Sequence, residues 1–213
     1  MPDTRDQPAD SMRKRPLQAR TWATVRTIFE ATLQILEKDG ETALTTNRVA
    51  ERAGFSVGTL YQYFPNRNAI LLAMIDLERR RVVASLERLL MDAESGAAHP
   101  AEVLRAFIRI LVASFGTGNA VRRHLLKRAW LLDHTPQVVA ATQAIAARIR
   151  LFLERASHPD FPPPDDASLF VATRAVLGAI RAAVHEDSPL IGTPEFEDAV
   201  VRMVLGARAD AMG

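Results

Sequence analysis

Residues Thr46–Arg67, TNRVAERAGFSVGTLYQYFPNR, carry the strongest structural signal in the chain. Their pattern predicts two short helices, Thr46–Ala53 and Ser56–Phe64, that are joined by a tight turn. Ala50 is small enough for the two helices to approach closely, and Gly54, four places later, supplies a turn residue free of Cβ strain. The spacing indicates a helix-turn-helix, whose second helix faces outward and can enter the major groove of DNA.

Side chains around the turn support this interpretation. Four apolar residues can form the seam between the helices: Val49, Ala53, Phe55 and Leu60. Ser56 can cap the second helix by accepting a hydrogen bond from an early backbone N–H. A tight helical hairpin of any function would show the same Ala and Gly spacing, so the spacing alone does not establish DNA binding.

The composition of the second helix favours contact with DNA. Gly58 permits close approach of the backbone to a partner, and polar groups surround it: Ser56, Thr59, Tyr61, Gln62 and Tyr63. Gln62 can pair with adenine through two hydrogen bonds. Core packing is the alternative for Tyr61 and Tyr63, although Phe64 is the stronger core candidate.

Charge is distributed unevenly along the 213 residues, whose net charge is +2. Residues 13–81 contain 12 basic and 7 acidic residues, and the basic run Arg13, Lys14, Arg15, Arg20 and Arg26 contains no acid. This excess suits a polyanionic partner for one part of the chain, or else a solvated surface.

Composition excludes several classes of function. The absence of cysteine excludes disulfides, zinc–thiolate sites and thiol nucleophiles. The five histidines lack HExxH spacing, and the chain has no phosphate-binding loop and no GxSxG motif. We therefore expect no catalytic residues, no metal and no cofactor. The apolar stretches are short and no signal peptide is evident, which predicts a cytoplasmic protein without membrane contact.

The rest of the chain also has helical patterning and no alternating pattern typical of strands. A stripe of residues three and four apart predicts a first helix that ends at Asp39-Gly40: Trp22, Val25, Phe29, Leu33 and Leu36. Thr135-Pro136, Asp165 or Asp166, and Thr193-Pro194 are typical helix starts. We predict an all-α protein of about nine helices, one of them over 119–132. It would comprise a disordered tail (1–15), a three-helix DNA-binding domain (16–66) and a helical regulatory and dimerisation domain (67–213).

The segment from about Arg20 to Met74 resembles the TetR (tetracycline-repressor) family of bacterial transcriptional regulators. The residues that carry the resemblance are Thr46, Val49-Ala50, Ala53-Gly54, Ser56, Gly58-Thr59-Leu60-Tyr61, Tyr63-Phe64 and Asn66-Arg67. The resemblance implies that bases are contacted by Val57, Gly58, Thr59 and Gln62. It also implies phosphate contacts by Thr46, Tyr61, Tyr63 and Arg67. Val57 departs from the polar or basic residue of many relatives, and Asn68 from the usual acid.

One recognition helix contacts too few bases for tight binding, so we expect a homodimer that reads two half-sites. A small-residue surface is expected on one late helix: Ala172, Ala175, Gly178, Ala179, Ala182 and Ala183, bordered by Leu169, Val176 and Ile180. An apolar face is expected on the last helix: Val200, Val201, Val204 and Leu205. The resemblance implies that these two helices pair across a two-fold axis, and the alternative is contact within one chain.

The resemblance further implies a pocket for a small-molecule effector in the regulatory domain. Candidate pocket residues are Phe107, Phe115, Trp130, Phe152, Phe170 and Arg174. The expected function is a ligand-responsive regulator of double-stranded DNA, with repression as the family's usual mode. The alternatives are a helical adaptor or a small-ligand enzyme that does not bind DNA.

Overall fold

The computed structural model describes residues 19–95, 98–115, 125, 127 and 135–209. Within these ranges the chain forms eight α-helices and no strand, which confirms the all-α class. The helices are α1 (Ala19–Asp39), α2 (Thr46–Ala53), α3 (Val57–Tyr63), α4 (Arg67–Ser95), α5 (Pro100–Phe115), α6 (Pro136–Ala156), α7 (Asp166–His185) and α8 (Pro194–Ala209). The predicted tail 1–15 and most of the predicted helix 119–132 lie outside the described residues.

Contacts divide the described residues into two compact units. The first ends at Glu78 and also includes Leu125, and the second contains the remainder. The first unit extends beyond residue 66 because the opening turns of α4 are buried, at Ala69, Ile70 and Leu71 among others. The division into a DNA-binding and a regulatory domain stays a prediction about function.

The core of the first unit is built on one face of α1. Val25, Ile28 and Phe29 are buried, and the buried Thr32 hydroxyl donates to the Ile28 carbonyl at 2.8 Å, so it leaves no unsatisfied polar group. Trp22 is 40% exposed, so the apolar stripe begins one turn later than its sequence pattern suggests.

Two clusters of buried side chains form the core of the second unit. One joins α4, α5, α6, α7 and α8 through Val82, Leu86, Ile108, Leu111, Val112, Ile145, Val176, Ile180, Val184, Val200 and Val201. The other is made by Leu90, Ala93, Val103, Phe152, Leu153 and Phe161. Phe107 packs against both clusters and therefore connects them.

The apolar face of α8 that we expected at a dimer interface packs inside its own chain. Val200 and Val201 are each 4% exposed, and Val204 and Leu205 pack against the same cluster. α5 and α7 cover Val200 and Val201, whereas Val204 and Leu205 stay half-buried, so dimerisation through the last two helices stays a prediction. An apolar face alone does not distinguish a neighbour in the same chain from a second copy.

The small-residue side of α7 is divided between the core and the surface. Ala183 is buried, whereas Gly178 and Ala182 are exposed. Phe170 and Val171 are 60% and 61% exposed, respectively. The surface of α7 that is available to a partner is therefore its outward side, not the side bordered by buried Val176 and Ile180.

Helices α6 and α7 begin at the residues that the sequence predicts as helix starts. Pro136 occupies the first turn of α6 after Thr135, and the Asp165 side chain accepts the Ser168 N–H at 2.8 Å at the start of α7. The backbone N–H and hydroxyl of Ser168 hold the pKa of Asp165 below its usual value. The Asp165 cap satisfies a backbone donor that the start of α7 would otherwise leave unpaired, whereas the Thr135 side chain makes no such bond at the start of α6.

Ion pairs connect α5 to α8. Arg105 binds Asp198, and Arg109 binds Glu197 at 3.4 Å. The hydrogen bond from Arg105 holds the pKa of the Asp198 carboxyl below its usual value. Both side chains of the first pair and Arg109 of the second are exposed, so these pairs contribute orientation more than stability.

Among the described helices, α7 is long and apolar enough to cross a membrane by length and composition. This criterion is also met by core helices of soluble proteins. Because α7 contributes Val176, Ile180 and Val184 to the core cluster, its apolar character already has a structural role.

Candidate nucleic-acid interface

The turn between α2 and α3 depends on Gly54. Its φ of 71° and ψ of 27° lie in the left-handed region, which residues with a Cβ rarely adopt. The Gly54 N–H donates to the Glu51 carbonyl at 3.1 Å, and the Phe55 N–H donates to the Ala50 carbonyl at 2.9 Å. Ala50 is fully buried, so the close approach that the sequence spacing predicts is present.

One side of α3 is anchored in the core, and its N-terminus is capped. The Ser56 hydroxyl accepts the Thr59 N–H at 3.0 Å, as its position before the helix predicts. Leu60 and Phe64 are fully buried, and the Phe64 ring lies 5.9 Å from the Phe29 ring, centroid to centroid. The core assignment of Phe64 is therefore confirmed, and the opposite side of α3 is left at the surface.

The residues that the resemblance places against bases lie at the start of α3 and on its outward side. Val57, Gly58 and Gln62 are exposed, whereas Thr59 is half-buried. A Cβ built on Gly58 would meet only the Ser56 Oγ, at an ordinary 3.8 Å. Nothing within the described protein therefore requires glycine at this position.

Two of the expected phosphate ligands contact each other. The Thr46 hydroxyl on α2 and the Tyr61 hydroxyl on α3 share a hydrogen bond at 3.2 Å, in which either group can donate. Tyr61 is 41% exposed and is not a core residue, whereas Tyr63 is half-buried. The bond fixes a pair of hydroxyls at one edge of the helix-turn-helix.

Arg67 has a contact inside the protein that the sequence did not suggest. Its Nη1 donates to the carbonyl of the buried Leu44 at 3.0 Å, which ties the start of α4 to the segment before α2. A guanidinium has further N–H donors beyond the one used here, so this contact leaves donors for a phosphate.

The contacts of Arg48 and the capping role of Asn66, neither of which the sequence analysis predicted, also fix the geometry of this unit. The Arg48 Nη2 binds the Asp39 carboxylate at 2.6 Å, and its Nη1 donates to the Ala43 carbonyl at 3.3 Å. The Asn66 Oδ1 accepts the Ala69 N–H at 2.8 Å and caps α4. The Asn66 cap had a signal, since Asn is a preferred residue before a helix, but the Arg48 contacts had none.

The basic run is only partly within the described structure. Arg26 is exposed on α1. Arg13, Lys14 and Arg15 lie outside the described residues, as does the side chain of Arg20. A phosphate-binding arm before α1 therefore stays a prediction.

The candidate effector residues are found in two kinds of environment. Phe107 and Phe152 pack in the core of the second unit. Phe170 is at the surface of α7, where the Arg174 guanidinium carbon lies 4.7 Å from its ring centroid. The Phe115 side chain and Trp130 lie outside the described residues. Among the described candidates, Phe107 and Phe152 are the two that a ligand buried in the core could contact.

The described residues contain no group of three or more His, Cys, Asp or Glu side chains that could hold a metal ion.

On α6, Arg148 and Arg155 both pair with Glu94, at 3.2 and 2.6 Å. The single Glu94 carboxylate therefore offsets one of the two positive charges.

Comparison with known proteins connects this geometry to one family. Residues 28–74, which extend from α1 through the helix-turn-helix into α4, match the family model "Bacterial regulatory proteins, tetR family". The chain is 43% identical over 61 residues to the HTH-type transcriptional repressor KstR of Mycolicibacterium smegmatis, which is 29% of this chain and 30% of the relative. It is 31% identical over 150 residues to the HTH-type transcriptional regulator EthR of the same organism, which is 65% of each chain.

A solved structure extends the likeness in fold over most of the chain. Thermus thermophilus FadR, a TetR family transcriptional repressor crystallised with lauroyl-CoA, superposes with a TM-score of 0.56 at 23% identity. The match covers 86% of this chain and 94% of FadR. The chain spans less than two thirds of the length of the curated relatives KstR and EthR. Their names are those of regulators, which agrees with the prediction that this chain is not an enzyme. Residues 28–74 thus carry the segment that the tetR family model describes, and the solved structure shows a similar all-helical fold over most of the chain.

Proposed function

We propose that the chain is a ligand-responsive transcriptional repressor. It binds a palindromic operator as a homodimer and leaves the operator when a small molecule binds. The observation that carries the proposal is that α3 exposes Val57 at its start and Gly58 and Gln62 on its outward side, while Leu60 and Phe64 fix the helix in the core.

The geometry of the helix-turn-helix supports the DNA-binding step. The major groove is about 12 Å wide and admits a helix such as α3. Gly58 allows the helix backbone to approach the base edges, and Gln62 can pair with adenine. The hydroxyl pair of Thr46 and Tyr61 lies at the edge of this surface, where it can bind a backbone phosphate. Because these groups are held in place before DNA arrives, little conformational entropy is lost on binding.

Dimerisation is the second step, because a seven-residue recognition helix reaches only a few base pairs. The outward side of α7 is apolar at Phe170, Val171, Gly178 and Ala182, and a second copy could cover it. Two copies related by a two-fold axis would bind half-sites about 34–36 Å apart or a multiple of that distance.

The effector step requires a ligand that binds one conformation better than the other. A preference of about 100-fold, or about 2.7 kcal/mol, suffices for useful control. Phe107 joins the two core clusters of the second unit, so a ligand that displaces it would disturb both. FadR was crystallised with lauroyl-CoA, and acyl-CoA thioesters of several chain lengths are therefore a reasonable first panel.

The test of DNA binding is a footprint on the DNA upstream of this gene and its neighbours. We expect a protected near-palindrome and affinity that falls steeply with salt. Gln62→Ala should weaken binding to this site, whereas the matched variant Gln143→Ala, exposed on α6, should not. An adaptor that does not bind DNA would give no protection at any salt concentration.

The tests of assembly and of control use the same operator. Sedimentation should give a dimer, and Phe170→Glu should shift it toward monomer and weaken operator binding. A stable monomer that binds an unsymmetrical site would contradict the dimer. A member of the panel that acts as effector should release the footprint, and enzymatic turnover of that ligand would favour an enzyme instead.

A further inference from the structure

The first turn of α3 carries methyl groups at a position where the recognition helix of a DNA-binding protein commonly carries a charged side chain. We propose that this protein selects its half-sites mainly through thymine methyl groups, with Val57 as the residue that contacts them. This inference rests on the proposed DNA binding and specifies the operator as rich in A·T pairs. It follows from four features of α3.

Val57 is the first residue of α3 and is 36% exposed, one of the few large apolar side chains at the surface of the described chain. The thymine C5-methyl is the apolar group that base edges present in the major groove. Burying Val57 against it removes apolar surface of both partners from water, which is favourable.

The neighbouring residue brings this contact within reach. Gly58 has no side chain to hold α3 away from the base edges, and the space that a Cβ would fill is open. A short side chain such as Val57 contacts a base only if the backbone approaches closely. Glycine next to valine supplies that condition.

The hydroxyls of the first turn add little discrimination. The Thr59 Oγ1 lies 2.8 Å from the Ser56 Oγ, which also accepts the Thr59 N–H. One of the two hydroxyl protons is therefore used between these side chains. The proton that remains can serve a base of either kind, because serine and threonine hydroxyls both donate and accept.

The sequence of α3, VGTLYQY, contains no arginine or lysine. Those two residues make the commonest specific contact with guanine. Gln62 is the exposed amide on this helix and is suited to adenine. The helix thus offers a partner for thymine and one for adenine, but none of the usual partners for guanine.

The experiment begins with the full chain and a pool of random duplexes, from which a binding site is selected. Each thymine of the selected half-site is then replaced by deoxyuridine, which removes only the methyl group. For wild type we expect at least one position where the replacement weakens binding about fourfold per half-site, since a buried methyl-sized group is worth about that factor. Replacement in both half-sites should cost about 15-fold.

Val57→Ala is the variant that assigns the effect. It should bind the thymine site more weakly than wild type and show a clearly smaller penalty for deoxyuridine, since the shorter alanine side chain makes less contact with the methyl. Because Val57 is exposed, the variant should fold normally, and circular dichroism checks this. Met91→Ala, which removes another exposed apolar side chain on α4, should keep the full deoxyuridine penalty.

Several outcomes would overturn the inference. Wild type that binds a selected site with no penalty for deoxyuridine at any position would refute it while leaving DNA binding intact. An equal penalty in Val57→Ala would show that another residue contacts the methyl. A selected half-site of G·C pairs alone would also refute it. Failure to bind any duplex would instead remove the proposed function itself.

Discussion

Replacing Gly58 with alanine should make the protein more stable and a poorer DNA binder. The added Cβ would meet only the Ser56 Oγ at 3.8 Å, so the substitution introduces no clash inside the described protein. Glycine within a helix costs about 0.5–1 kcal/mol relative to alanine. For a chain of this size, that gain raises the melting temperature by about 1–4 °C.

On DNA the same methyl group occupies the space between α3 and the base edges. A displacement of the helix by about 1.5 Å, a carbon–carbon bond length, takes Gln62 out of hydrogen-bond range of its base. Losing one bidentate base contact costs about 1–3 kcal/mol, and a dimer loses it twice. We therefore expect Gly58→Ala to raise the Kd at least about 30-fold, measured by fluorescence anisotropy with a labelled operator.

A matched variant separates this effect from a general response to alanine. Gln34 is exposed on α1 in the same compact unit, so Gln34→Ala should leave operator affinity unchanged. If Gly58→Ala binds the operator as tightly as wild type, the proposal that α3 approaches the bases closely is wrong. If the melting temperature of Gly58→Ala is below that of wild type, the description of open space around Gly58 is wrong.

Further predictions concern individual contacts. Tyr61→Phe removes the hydroxyl bonded to Thr46 and should weaken binding to operator and random DNA by similar factors, because phosphates carry no sequence information; a loss confined to the operator would contradict this. Ser56→Ala removes the cap of α3 and should destabilise the protein by about 1 kcal/mol in denaturant titrations, and an unchanged midpoint would count against the cap. Asp198→Asn should lower the melting temperature slightly at pH 7 and have no effect well below pH 3.8, the usual pKa of the group. The sign follows because Arg105 lowers the folded-state pKa, so the stabilisation is present above the usual pKa and is lost as pH falls through the lowered one; a difference that persists in acid would contradict this.

The helix-turn-helix could be predicted closely because its determinants are local. α2 begins and ends at the predicted residues, Thr46 and Ala53, and α3 differs from its predicted bounds by one residue at each end. The turn needs a positive φ that Gly54 supplies, and the helix start needs an acceptor that Ser56 supplies. Both needs are met by single residues at fixed spacing, so they are visible in one sequence.

Contacts between distant residues could not be predicted in the same way. The hydrogen bond from Arg67 to Leu44 joins positions 23 residues apart, and no periodicity encodes it. The apolar face of α8 was assigned to a partner because hydrophobicity indicates burial without naming the neighbour. Its neighbours within the chain, α5 and α7, depend on the packing of the whole unit. The candidate effector-binding residues lie partly in the core and partly at the surface for the same reason. Aromatic character alone does not distinguish the buried Phe152 from the exposed Phe170.

The apolar outward side of α7 has a consequence for the amount of protein in the cell. A folded chain that leaves Phe170 and Val171 in water gains free energy whenever another copy covers them. In the proposed dimer, resistance to unfolding, and hence to proteases that attack open chains, would rise with the protein's own concentration. Newly made chains at low abundance would be degraded faster than established pairs. Turnover alone would then sharpen the threshold at which the regulator begins to act.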